Sequence, residues 1–285
     1  MSSLERVLIT GASGQLGTDL AAALDGDADV VAFDHAALDI TDDAAVAEAL
    51  ADARPRVVFN CAAFHNVEVC ETEEATAADV NVRAVKRLAQ ACDEQGAQLV
   101  HFSTNYVFDG RDPEPYLESD LPAPRSVYAI TKLAGEHAAL AYCESALVVR
   151  SAGLYGEAGS ASKGGNFVER MIGRARAGEE IKMVSDQRLT PTFTPDLAAG
   201  TLDAVEAGVT GLLHLTNAGA CSWYEFTCAI LDGAGIDVDV TAVETSIPPG
   251  GADRPLNGVL ASEVASAHGL EPLRHWQDAL AAYLR

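Results

Sequence analysis

Hydrophobic and polar positions along this chain fall into two alternating rhythms. Short runs dense in β-branched and aliphatic residues, "RVLIT" (6–10), "DVVAFD" (29–34), "RVVFN" (56–60), "QLVHFS" (98–103) and "ALVVRS" (146–151), read as strands. Between them, apolar residues recur at helical spacing over 15–24, 42–53, 72–95 and 127–143, in stretches rich in alanine. Strands that alternate with helices and are continuously apolar predict a parallel sheet with helices on both faces. After about residue 150 the alternation breaks down. A Gly/Ser-rich segment, "GEAGSASKGGNF", precedes a helix ending near 177, then "EIKMV", the proline-marked "TPTFTPD" and a helix ending near 207. The pattern predicts a first domain over 1–150, to which elements from about 190–218 return, and a smaller lobe built from 151–189 and 219–285.

Composition narrows the classes of function. The 285 residues are 48% hydrophobic and carry a net charge of −23, so a large core is expected and a nucleic-acid partner is disfavoured. No apolar run reaches membrane-spanning length and no leader pattern opens the chain, which points to a cytoplasmic protein. Six scattered cysteines lack metal-ligand spacing, so free thiols and no metal are expected. Only Lys86, Lys132, Lys163 and Lys182 are lysines. Scarce lysine on so acidic a surface resembles proteins adapted to high salt, that is, halophilic ones.

An acidic protein must meet an anionic ligand locally, and "LITGASGQLGTDL" supplies a means. Gly11, Gly14 and Gly17 follow the first strand and open the first helix, where backbone N–H groups and the helix N-terminus favour a pyrophosphate. With Ser13, Gln15 and Leu16 they form a candidate dinucleotide loop, the mark of a Rossmann-type doubly wound sheet. At the end of the second strand Asp34 can accept hydrogen bonds from an adenosine ribose and repel a 2′-phosphate, or serve simply as a turn residue. Asp39 and Ile40 would then border the adenine. Ala62, Ala63 and Phe64 follow the third strand, where small residues allow a cofactor to pass close.

"SVYAITKLAGEH" sets Tyr128 and Lys132 four residues apart, on one face of a helix. By itself that spacing fits an inward ring and a snorkelling ammonium as well as it fits proton transfer. With "GASGQLG", "NCAAFHNVEVCE", "HFSTNYVFDG", "VYAITKLAGE", "DQRLTPTFTPDLA" and "RPLNGVLAS" in order along nearly the whole length, the chain resembles the extended short-chain dehydrogenase/reductases and, more closely, the dTDP-4-dehydrorhamnose reductase family. The resemblance implies a catalytic set of Thr104, Tyr128 and Lys132, with NADH or NADPH as cofactor. A phenol can protonate a carbonyl oxygen while a hydride reaches its carbon, and a nearby ammonium can lower the phenol pKa from about 10. Lys132 would also hold the nicotinamide ribose, and Thr104 would orient the carbonyl.

Related dehydratases carry an Asp-Glu pair after the threonine, whereas this chain has Asn105 and Tyr106, which implies a reductase. Asn105 replaces the family's usual Asp, and Gly153 stands where many members have a sugar-contacting Trp. A nucleotide-sugar substrate is implied, with Asn166, Phe167, Arg188 and Arg254 as candidate contacts to its nucleotide half. Either arginine could instead serve a surface ion pair. Trp223 reads as packing a helix. The expected reaction is reduction of dTDP-4-dehydro-β-L-rhamnose to dTDP-β-L-rhamnose. Alternatives are another NDP-4-keto sugar, or a non-catalytic role like that of the methionine adenosyltransferase β subunit. A homodimer is compatible with either.

Overall fold

A computed structural model describes residues 4–158, 165–248 and 250–285. The first five strands are β1 (Arg6–Thr10), β2 (Asp29–Phe33), β3 (Val57–Asn60), β4 (Gln98–Thr104) and β5 (Leu147–Ser151). Two short strands, β6 (Leu154–Tyr155) and β7 (Ile181–Val184), precede β8 (Arg188–Leu189), β9 (Thr192–Phe193) and β10 (Gly211–His214). β11 (Cys221–Ser222) and β12 (Val240–Val243) complete the set. The central sheet has the order β10-β5-β4-β3-β1-β2, and every neighbouring pair in it is parallel. It is a Rossmann-type doubly wound α/β sheet.

On one face lie α1 (Gln15–Ala23) and α8 (Thr194–Glu206), packed over Val7, Ile9, Phe59 and Val149. On the other, α2 (Asp43–Ala53), α5 (Val85–Gln95) and α6 (Val127–Tyr142) cover Leu8, Val58, Leu99 and Val148. Their starts follow capping chemistry: Asp42 accepts from Ala44 and Ala45, and Ser126 from Ala129. A separate core of Tyr155, Val168, Met171, Phe226, Ile230 and Trp276 builds the second lobe from α7 (Phe167–Arg176), α9 (Trp223–Gly233) and α11 (Trp276–Tyr283). The Gly/Ser-rich stretch after Gly156 falls largely on 159–164, outside the described residues.

The helix expected over 72–95 is broken. It is made of α3 (Val67–Thr72), α4 (Glu74–Ala78), a π-helical turn over Asp79–Ala84 and then α5. The wider turn presents Asn81, whose amide accepts from Phe64 N–H at 2.9 Å and donates to Phe64 O at 3.0 Å and to Thr131 Oγ1 at 3.1 Å. Periodicity alone does not register one extra residue per turn. Gly135 of α6 packs on this turn, and a side chain there would collide with the Asn81 carbonyl.

Where the chain passes between the two cores, the passages are bonded sideways. β6 pairs with β9, and the Asn217 amide accepts from Phe193 N–H and donates to Asp196 and to Arg274 O. Arg274 grips both oxygens of Asp196 at 2.6 and 2.7 Å. The short α10 (Glu263–Ala267) lies against β10.

Candidate active site

The carboxyl ends of the sheet strands face the second lobe across a cleft of about 1070 Å³, large enough for a ligand bigger than an ordinary drug molecule. Its walls include Ser13, Gly14, Gln15, Leu16 and Gly17 of the glycine loop, Ala62 and Ala63, and the set Thr104, Tyr128 and Lys132. Asn105, Gly153, Asn166, Arg188 and Arg254 line it as well. Gly11, Asp34, Asp39, Ile40 and Phe64 are not among its lining residues.

The glycine loop is tightly constrained. Gly11 has φ +66°, and a Cβ there would lie 2.7 Å from Ala62 N; at Gly17 it would lie 2.5 Å from Gly11 O. The bare backbone leaves the N-terminus of α1 open toward the cleft. Gln15 Oε1 and Ser151 Oγ, both on cleft residues, are buried with no hydrogen-bond partner among the described residues. A ligand that offers both a hydrogen-bond donor and an acceptor along the cleft, as a dinucleotide does, could satisfy these two atoms while its pyrophosphate meets the N-terminus of α1. Sequence reasoning missed Ser151, although its position at the end of β5 was a usable signal.

Asp34 Oδ1 accepts from Ala37 N–H at 2.8 Å and stays exposed, so its other oxygen is available at the edge of the cleft, next to the lining residue His35. Asp39 is tied into its own turn. Its Oδ1 accepts from both N–H and Oγ1 of Thr41, which hold the carboxyl below its usual range, and Ile40 is buried. Both residues shape the turn into α2.

Tyr128 and Thr104 sit together, with the Tyr106 ring edge-on to Tyr128 at 5.9 Å. Burial pushes the Tyr128 phenol well up, and a hydrogen bond with Thr104 pulls it the other way. Lys132 is 2% exposed. Its Nζ donates to Phe102 O at 2.7 Å and lies 3.3 Å from His101 Nε2. Burial lowers its pKa to about 8, against the pull of Glu136 and Cys61. The site thus favours a neutral phenol and an ammonium close to losing its proton. Phe102 O and His101 Nε2 hold the ammonium on its protein side.

Thr104 Oγ1 accepts from Tyr106 N–H and donates to Asn105 Oδ1. Asn105 Nδ2 donates to Gly258 O, tying β4 to the segment behind the cleft. Gly153 has φ +55°, and a Cβ there would lie 2.6 Å from Leu189 Cδ1. Leu189 thus packs directly against the backbone at Gly153 and leaves no room there for a side chain. Asn166 lines the cleft, yet its amide is fully engaged: Nδ2 donates to Gly156 O and Tyr283 OH, and Oδ1 caps α7 at Glu169. It is a helix cap, and its side chain has no N–H left for a ligand.

Arg254 donates to Glu68 at 2.6 Å and also hydrogen-bonds Tyr106, whereas Arg188 is exposed. Phe167 and Trp223 pack at 4.5 Å and both line the cleft, with the Arg170 guanidinium over Phe167. Trp223 therefore packs its helix, as expected, and presents surface to the cleft. Among the described residues no group of three or more His, Cys, Asp or Glu side chains could hold a metal, and no helix is long and apolar enough to cross a membrane. None of the six cysteines forms a disulfide.

The family model described as RmlD substrate binding domain matches residues 5–285. A dTDP-4-dehydrorhamnose reductase of Streptomyces griseus is 43% identical over 96% of this chain and 91% of its own. A probable dTDP-4,6-dihydroxy-2-methyloxan-3-one 4-ketoreductase of Streptomyces antibioticus is 42% identical over 96% and 93%. The solved structure of dTDP-4-dehydrorhamnose reductase from Bacillus anthracis in complex with NADP superposes with a TM-score of 0.92, at 35% identity and 98% coverage of both chains. With full-length matches of this kind over a cleft of this construction, the chain belongs to the RmlD family, that of the dTDP-4-dehydrorhamnose reductases.

Proposed function

We propose that this protein reduces the C4 ketone of dTDP-4-dehydro-β-L-rhamnose to dTDP-β-L-rhamnose with NADH or NADPH, in the cytoplasm. The observation that carries the reading is the convergence of Thr104, Tyr128 and Lys132 on the cleft that also holds the glycine loop. Gly11, Gly14 and Gly17 admit the pyrophosphate, with Ser13, Gln15 and Leu16 beside it, and Asp34 takes the adenosine ribose. The reduced nicotinamide supplies the hydride when bound. Tyr128 OH donates the proton to the carbonyl oxygen, which Thr104 Oγ1 orients. Lys132 stabilises the resulting phenolate and holds the ribose.

Arg188, exposed on the far wall, suits the substrate pyrophosphate because its fork can bind two oxygens. Arg254 already spends one nitrogen on Glu68, which leaves fewer of its N–H groups for a ligand. A second reading, reduction of a different NDP-4-keto sugar, is favoured by Asn105 and by Leu189 filling the space beside Gly153. The assembly proposed is a homodimer, which light scattering decides.

The test is a coupled assay with purified 4-keto sugar nucleotides. Tyr128→Phe keeps the ring and removes the transferable proton, so turnover is expected to fall by about 10²-fold or more while cofactor binding survives. An unchanged rate would remove Tyr128 from the reaction.

A further inference from the structure

Two of the three N–H bonds of the Lys132 ammonium have partners inside the protein: Phe102 O at 2.7 Å and His101 Nε2 at 3.3 Å. His101, on β4, is fully buried. Its Nδ1 lies 3.1 Å from Asn60 Nδ2 on β3, and Asn60 Oδ1 accepts from Thr10 Oγ1 on β1 at 2.7 Å. A chain of polar side chains therefore runs beneath the cleft from α6 across three strands of the sheet. Lys132 lies at its cleft end.

Such a chain is stable only if every member is satisfied, so the protons must be counted. An ammonium can only donate. Nε2 must then be the bare nitrogen and the ring proton must sit on Nδ1, which needs an acceptor in turn. Asn60 supplies one when its amide is turned end for end from the orientation drawn in the structure, so that the oxygen faces the ring and the NH₂ faces Thr10 Oγ1. The two ends of an amide have nearly the same shape, and the hydrogen-bond network decides between them.

We propose that His101 is a positioning residue, whose bare Nε2 anchors the Lys132 ammonium at the floor of the cleft in the charged form. This rests on the reductase reading for its use, since a charged Lys132 is what Tyr128 and a ribose require. The titratable groups acting on the ammonium are His101 from β4, Cys61 after β3 and Glu136 from its own helix. Glu136 favours the charge but is shared with Arg150, both of whose contacting nitrogens lie within 2.9 Å of its oxygens. Burial holds the Cys61 thiol protonated and the His101 ring neutral, so neither adds a charge. With the lysine pKa near 8, losing one acceptor changes its charge within the neutral range.

The first test uses the unmodified protein: long-range ¹H–¹⁵N correlation of the His101 ring from pH 6 to 8. Nδ1–H with a bare Nε2 throughout is expected; an Nε2–H ring, which would donate toward a neutral Lys132, overturns the proposal. The second uses two variants. His101→Asn keeps an amide near the Nδ1 position and loses the reach to Lys132, whereas His101→Gln can place an amide oxygen near Nε2. In His101→Asn the alkaline limb of kcat/KM should move down by about one pH unit, and the NADH dissociation constant at pH 8 should rise about tenfold. His101→Gln should restore both. Identical profiles for the two folded variants overturn the assignment, and if neither folds the ring spectrum decides. An unmodified protein that reduces no 4-keto sugar nucleotide would sink the reductase reading, while the spectrum still tests the anchor.

Discussion

Replacing Lys132 by Met removes a charge that folding places in an unfavourable site, and the result should be visible in stability as well as in turnover. Burial takes the lysine pKa from 10.5 to about 8. At 1.36 kcal/mol per pH unit this corresponds to about 3 kcal/mol. Because the folded pKa is the lower one, the unfolded chain binds more protons between pH 8 and 10.5, and stability from this group rises with pH across that window. Below pH 8 both states carry the charge and the penalty is constant. Met removes the penalty but strands Phe102 O and His101 Nε2, at about 1–3 kcal/mol each, so the two proteins should differ little at pH 7. The informative quantity is the slope. Urea melts of both proteins at pH 7, 8, 9 and 10 should show the unmodified protein gaining about 3 kcal/mol on Lys132→Met over the range. A stability difference independent of pH would mean that Lys132 is not held in a depressed, buried state.

Asp34→Ala should improve the use of NADPH relative to NADH, and the unmodified protein should use NADH at least as well; steady-state kinetics with both cofactors check this, and a strong native NADPH preference would count against Asp34. The net charge of −23 should make the fold more stable in molar salt, where the Debye length is about 3 Å, and thermal melts over a salt series would show greatest stability in dilute buffer if the salt-adapted reading were wrong. Glu136→Gln should destabilise by about 3–5 kcal/mol, since it leaves the buried Arg150 without its carboxylate; denaturant melts measure it, and a loss below about 1 kcal/mol would refute the pairing.

The parallel sheet was legible because its strands are short, apolar and punctuated by helical spacing, and the glycine loop because tight backbone approach demands glycine at Gly11 and Gly17. Motif order along the chain pointed to Thr104, Tyr128 and Lys132. What the pattern could not carry were interactions between distant segments. Asn166 and Arg254 are polar residues on a cleft wall, but their partners, Tyr283 and Glu68, lie far away in sequence. The π-turn at Asp79–Ala84 preserves amphipathicity across the break, so the periodic signal reads as one helix. His101 is a polar residue between the apolar Val100 and Phe102 of β4, a feature that marks a buried partner without naming it.

The sideways bonding between chain passages has a consequence for how the molecule melts. Two separate cores would ordinarily invite two transitions, each lobe losing its structure at its own temperature. Here, opening the Tyr155–Trp276 core would pull on Phe193, Asn217 and Arg274, whose bonds clamp the start of α8, and α8 is itself part of the packing beneath the sheet. Heat should therefore dismantle both lobes in one endotherm, and the double variant Asn217→Ala, Asp196→Ala, which removes the side-chain bonds between the passages, should broaden it or split it into two.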